Sequence, residues 1–243
     1  MQPSPDPVCV SGEAVDAHGI SRRRLLVAGA AAAALPLFGS PSHASVPVPR
    51  DIRFIALWQG SPVGAHQVTF RMEGDRVTVS TRIDITVKVL FFTVFRLKHL
   101  AREVWRGGRL ESVESTTEQD GALLEVAGHA TGQGFRIVGG DGPYLADGHL
   151  MTSNSLWDIR VVRETRLIDV QHGGEIGLFS KLLGDTQPSV PQPGVPQQAA
   201  GQASQYHLIT PYYAGRVFYD GDQRWVRALI EYKGETVEYV PGP

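Results

Sequence analysis

From Val77 to Val89 the chain alternates without a break. Val77, Val79, Thr81, Ile83, Ile85, Val87 and Val89 are β-branched, and Thr78, Ser80, Arg82, Asp84, Thr86 and Lys88 between them are polar. A two-residue period puts one set on each side of a pleated backbone, and branched side chains suit that surface. The segment predicts one long strand with a buried face and a wet face. At about 3.3 Å per residue it spans on the order of 40 Å, far beyond the usual strand of about five or six residues. So long a strand predicts a large curled sheet or an open barrel.

The rhythm continues on both sides. Val68, Phe70 and Met72 alternate with Gln67, Thr69 and Arg71, and Glu73-Gly74-Asp75 closes a hairpin onto the long strand. Ile52 to Trp58 reads as a strand ending at Gly60-Ser61-Pro62. Arg102 to Arg106 and Arg109 to Thr116 flank Gly107-Gly108, where glycine supplies the positive φ of a two-residue turn. Asp120-Gly121, then Leu123 to Val126, Gly134 to Val138 and further glycine-rich turns through Gly148 extend the meander. One helix is predicted from Ser155 to about Arg163, with Ser155 and Asp158 as a capping-box-like start and Leu156, Trp157, Ile159 and Val162 as its apolar face. A strand follows from Arg166 to Gln171. The Pro/Gln/Gly-rich stretch 185–205, holding Pro188, Pro191, Pro193 and Pro196, predicts a loop or extended flap. Strands are then expected at Gln205 to Thr210, Gly215 to Tyr219 and Arg224 to Tyr232, with Thr236 to Val240 as an edge. The fold class is all-β: a curled antiparallel sheet or open half-barrel, a β meander with one short helix.

The opening 44 residues have a different character. Ser21-Arg22-Arg23-Arg24-Leu25-Leu26 sets arginines ahead of an Ala/Gly-rich apolar run from Leu25 to Phe38, and Ser42-His43-Ala44 is a small-residue cleavage pattern. This predicts a twin-arginine signal peptide over 1–44, carried by Arg22 and Arg23 and cut after Ala44, followed by a single β domain over 45–243. The run falls short of the roughly 20 residues a spanning helix needs, so the expectation is export to the periplasm with no stable membrane anchor. The twin-arginine translocase would be a partner during export. The lone cysteine, Cys9, precedes the arginines, so no disulfide is expected in the exported part.

Composition narrows the function classes. The formal net charge of −2 belongs wholly to the region after the signal, because Asp6, Glu13 and Asp16 balance Arg22, Arg23 and Arg24. Neither a basic surplus nor a basic stripe is present, which sets nucleic acid aside. The sequence lacks the Gly-x-Ser-x-Gly elbow, the His-Glu-x-x-His pair and the phosphate-cradling Gly-x-x-x-x-Gly-Lys run. It nominates no catalytic residue, no metal ligands and no cofactor, and leans away from an enzyme.

Three segments resemble an uncharacterised family of exported bacterial proteins known as a domain of unknown function. They are Glu103-Val104-Trp105-Arg106-Gly107-Gly108-Arg109-Leu110, then Ser155-Leu156-Trp157-Asp158 leading to Leu167-Ile168-Asp169, and Val217-Phe218-Tyr219-Asp220-Gly221-Asp222-Gln223-Arg224-Trp225-Val226. The resemblance covers most of 52–239. It implies a secreted antiparallel β fold, distantly similar to the half-barrels that carry lipoproteins in the periplasm, and brings no catalytic residues. The proline-rich stretch near Pro188 departs from the pattern.

Several side chains stand out as sites. Val89-Leu90-Phe91-Phe92-Thr93-Val94-Phe95 is apolar on both faces, so this strand end either roofs a greasy cavity, meets a partner or membrane, or is simply covered by another part of the chain. Trp105, Trp157 and Trp225 could line a pocket or anchor a core. His66 shares the inward face of Val68 and Phe70, as a hydrogen-bonded core histidine or as a ligand or base. His99 and Glu103 face the same way on a strand but about 13 Å apart, too far for a shared ion, and His129, His149, His172 and His207 are scattered. Asp220-Gly221-Asp222 lacks the spaced oxygens of a calcium loop and reads as a hairpin turn. The leading expectation is a hydrophobic ligand or envelope component bound in a curved-sheet cavity at Phe91, Phe92, Phe95, Trp105, Trp157 and His66. The runner-up is a structural or interaction module docking on an envelope protein. Aromatics lining a pocket would favour the first, and an exposed apolar patch the second.

Overall fold

The alternating segment is one strand, β3 (Arg76–Val89), and its β-branched set points inward: Val79, Thr81, Ile83, Ile85 and Val87 are all buried. It lies between β2 (Ser61–Glu73) and β4 (Phe92–Arg106), both nearly as long or longer. The meander continues through β5 (Arg109–Gln119), β6 (Ala122–Thr131), β7 (Gly134–Gly139) and β8 (Gly142–Ala146). On the other side of β2 lies β1 (Ile52–Trp58), and beyond it come β16 (Glu235–Pro241), β15 (Trp225–Tyr232), β14 (Ala214–Tyr219), β13 (Ala203–Ile209) and β12 (Phe179–Thr186). The computed structural model describes residues 49–140, 142–186 and 202–243. Among them these elements form a 13-stranded sheet, antiparallel throughout, running from β12 at one edge to β8 at the other.

Side-chain contacts show how strongly the sheet curls. Gln119 of β5 donates to the Tyr232 hydroxyl of β15 at 2.7 Å, and Phe95 of β4 packs on the Tyr232 ring at 5.5 Å. Six steps of the strand order separate β5 from β15, about 29 Å on a flat sheet at roughly 4.8 Å per step. Only a sheet rolled toward a barrel brings them together. It does not close, and both free edges are blunted. Pro143 removes a donor from β8, and a bulge between Leu182 and Gly184 breaks β12, devices that discourage edge-to-edge pairing.

The interior is filled by residues 150–178. This plug holds a small sheet of β9 (Met151–Thr152), β10 (Arg166–Ile168) and β11 (Glu175–Gly177), with β9 and β10 parallel. Leu156, Val161, Leu167, Ile168, Val170, Ile176 and Leu178 join Phe54, Val68, Val113, Phe135, Ile137 and Val217 of the wall in one buried core. The plug reaches strands far apart in the sheet: Ser115 Oγ of β5 donates to the Val170 carbonyl, and the Tyr219 hydroxyl of β14 to the Leu156 carbonyl. Gly139 and Gly173 touch backbone to backbone, where a Cβ on Gly139 would lie 2.7 Å from the Gly173 Cα.

The sequence expectations need four corrections. The expected helix is two 3₁₀ turns, Ser155–Trp157 and Ile159–Arg163, split by extended Asp158. Asp158 caps the second turn through the Arg160 amide, and β-branched Ile159, Val161 and Val162 do not favour a continuous helix. The strand expected to reach Gln171 stops at Ile168, because Asp169 turns the chain by accepting from the Gln171 and His172 amides. The strand expected as an edge is β16, paired on both sides by β15 and β1. The expected loop over 185–205 is in part strand, since Asp185 and Thr186 belong to β12 and Ala203 to Gln205 to β13; β12 itself was not anticipated. Pro188, Pro191, Pro193 and Pro196 lie outside the described residues, as do Cys9, Arg22, Arg23 and Ala44.

Candidate functional site

Apart from His66, which lies on β2 opposite Ile83, the nominated residues fall into two groups at opposite ends of the β3–β4 ladder. Phe92 pairs with Val89 at one end and Trp105 with Val77 at the other. From Phe92 to Trp105 the chain covers about 40 Å at roughly 3.3 Å per residue. No shared cavity unites them.

At the Trp105 end, the inward face of β4 meets the plug. Trp157 stands edge-on to Trp105 at 6.0 Å and to Phe70 at 5.3 Å. Trp105 Nε1 donates to Glu103 Oε2 at 2.9 Å, and Thr152 Oγ1 of the plug donates to Glu103 Oε1 at 2.8 Å. Thr152 Oγ1 lies 2.8 Å from Ser155 Oγ, whose oxygen also accepts from the Thr152 amide. Four residues back along β4, the Asn154 amide donates to His99 Nε2 at 2.9 Å, so His99 is the Nδ1–H tautomer, donating to Thr117 Oγ1 at 2.8 Å. Burial pushes the Glu103 carboxyl up to about 7 and lowers His99 to about 4. His99 and Glu103 face inward as the alternation predicts, each with its own partners, and among the described residues no three His, Cys, Asp or Glu side chains gather as metal ligands. Both are fully buried, so this network is a clasp between wall and plug and offers no surface to a substrate.

His66 is core, as its inward position predicts, but its company differs from a hydrogen-bonded histidine. Phe54, Trp225 and Tyr239 present ring edges around it at 6.5, 5.2 and 5.4 Å, and its buried Nε2 has no hydrogen-bond partner. Burial lowers it to about 3, holding it neutral. Trp225 is thus a core anchor, and Asp220 to Asp222 is a turn in which Asp220 Oδ1 accepts from the Asp222 and Arg224 amides.

The other end is different. The last β2–β3 pair is Gly64 with Ile85, and the first β4–β5 pair is Leu97 with Gln119. Beyond these points β3 and β4 pair only with each other, as a ribbon; Val87 is still buried against the core, and the stretch from Lys88 to Val94 is open to solvent. Phe95 and the two bonds joining Arg96 and Asp120 buttress its base. Its tip is open to solvent: Phe91 is 96% exposed, Leu90 85% and Phe92 74%, with Val89 and Val94 about half exposed. The turn is unusual in chemistry. In other hairpin turns Gln59, Asp120 and Lys233 take positive φ and are followed by a glycine that does the same, whereas here Leu90 takes φ 56 and is followed by Phe91. A left-handed leucine costs on the order of 1 kcal/mol, and nothing inside the molecule is packed by it. A separate saddle of ≈ 790 Å³, lined mainly by outward side chains of β2–β7 such as Arg82, Leu100, Arg102 and Glu114, contains none of the nominated residues.

The polar clasp was not legible as a unit, because Thr152, Asn154 and Ser155 are distant in sequence from His99 and Glu103. The signal in hand was two polar residues on an otherwise apolar inward face.

Comparison with known proteins agrees with the architecture. The crystal structure of a beta-barrel-like protein of domain of unknown function DUF1849 from Brucella abortus is similar in fold, with a TM-score of 0.58 over 79% of this chain and 95% of that one at 10% identity. No curated protein matches the chain. Residues 54–242, running from β1 past β16, match the domain of unknown function DUF6134, and the chain therefore belongs to that family.

Proposed function

We propose that this chain is a non-enzymatic docking protein of the bacterial cell envelope, exported to the periplasm by its twin-arginine segment and working through the β3–β4 ribbon. The observation that carries the reading is a protruding two-stranded tip with Leu90, Phe91 and Phe92 in solvent. Exposed apolar groups of this kind mark interaction sites. The filled interior supports docking over a ligand bowl: Trp105 and Trp157 pack on each other and on the plug.

Fractionation of the native bacterium tests this. The full protein is expected in the washed envelope fraction, and Phe91→Ser with Phe92→Ser is expected to release it while leaving its circular dichroism unchanged. Equal partitioning of the two proteins would remove the proposal.

A further inference from the structure

The chemistry around the tip identifies what it docks on. From Ile85 to Arg102 the chain has Lys88, Arg96, Lys98 and Arg102 and no carboxylate. Lys88, Arg96 and Lys98 are exposed, and none of their side chains is in an ion pair among the described residues. Acidic groups lie only at the base: Asp84 and Glu118 pair with Lys98 across the strands, and Asp120 accepts from the Arg96 amide. The ribbon is therefore an apolar apex with a cationic collar.

We infer that the β3–β4 ribbon inserts its Leu90-Phe91-Phe92 tip into a lipid bilayer whose anionic headgroups are met by Lys88 and Arg96. This rests on the docking reading above and names the partner. Three features favour a bilayer over a protein groove. First, the apolar groups are gathered at the very end of the ribbon, Leu90 and Phe91 in the turn and Val89 with Phe92 as the last cross-strand pair, so end-on entry into lipid buries all four. Second, the apex stands about 7 Å beyond Lys88, matching the roughly 5–10 Å to which apolar faces enter the headgroup boundary. Third, free cations behind an apolar tip complement an anionic surface, each contributing about five-fold in affinity near it.

The test uses the full chain with vesicles of phosphatidylethanolamine and phosphatidylglycerol carrying brominated acyl chains, which quench tryptophan at depth. Phe91→Trp reports the tip, and Gln133→Trp reports an exposed turn at the opposite end of the barrel. Comparing two positions in one chain separates the ribbon from the opening apolar segment. Strong quenching at position 91, little at 133, and about five-fold weaker binding for each of Lys88→Gln and Arg96→Gln are expected. Quenching at 91 no greater than at 133, or binding indifferent to both substitutions, overturns the lipid assignment. If fractionation still depends on Phe91 and Phe92 in that case, docking stands and the partner is not lipid; if it does not, both readings fall.

Discussion

Glu103 on the wall and Thr152 on the plug share a 2.8 Å hydrogen bond with both residues cut off from solvent. Burial raises the carboxyl from its ordinary 4.5 to about 7, while the hydrogen bonds from Thr152 and Trp105 pull the other way. The folded protein holds that proton more tightly than the unfolded chain. Its stabilising contribution is full below the ordinary value and is lost as pH rises through about 7, up to about 3 kcal/mol. His66 and His99 are lowered, so theirs is full above the ordinary 6.5 and is lost as pH falls. Glu103→Gln cannot ionise and keeps both histidines. Urea unfolding should show its stability relative to the native protein improving by up to about 3 kcal/mol from pH 5 to pH 8. A pH-independent difference would contradict this account.

Tyr232 and Gln119 bridge strands that are remote in the sheet order. Tyr232→Phe removes one hydrogen bond and should cost about 1 kcal/mol. A double-mutant cycle between Tyr232→Ala and Phe95→Ala should return a coupling of about 1 kcal/mol, as expected of packed rings. Strict additivity would mean that the sheet is less curled in solution.

Gly139→Ala should destabilise the protein by about 1–3 kcal/mol, because its Cβ would press on the Gly173 Cα and lift the plug from β7. Gly140→Ala is the control. Its nearest neighbour would lie 3.5 Å away, ordinary contact, and its unfolding midpoint should barely move.

Replacing the turn by Leu90→Gly with Phe91→Asn gives the ribbon the glycine preferred where only the first central residue has positive φ. Thermal unfolding should show a gain of roughly 1 kcal/mol together with lost envelope retention, the exchange expected where a site is kept at the expense of stability. A loss of stability would mean that Leu90 and Phe91 are packed.

The proposed export would run through Arg22 and Arg23. Their joint replacement by lysine should leave the protein in the cytoplasm, read by fractionation with a cytoplasmic marker. Unreduced secretion would assign another route.

Much of the wall was legible because two-residue periodicity writes itself locally: β2, β3 and the turns at Gly107-Gly108 and Asp120-Gly121 need only neighbouring residues. The β16–β1 pairing joins the two extremes of the described chain, so the sequence left β16 as an edge. The Ser155 segment has helical spacing, and its conformation was decided by Trp157 reaching Trp105 and Phe70, a tertiary demand. At the site, the apolar run 89–95 was visible, but whether it was roofed or bare depended on how far β2 and β5 extend beside it.

The seating of β16 beside β1 bears on synthesis. β1 lacks one of its two neighbours until β16 has been synthesised. The meander from β2 to β8 can assemble as it emerges, from contacts between consecutive strands, but the wall is finished only when β16 docks between β15 and β1. A chain wired this way keeps one flank of β1 unpaired while β2 to β15 are being made.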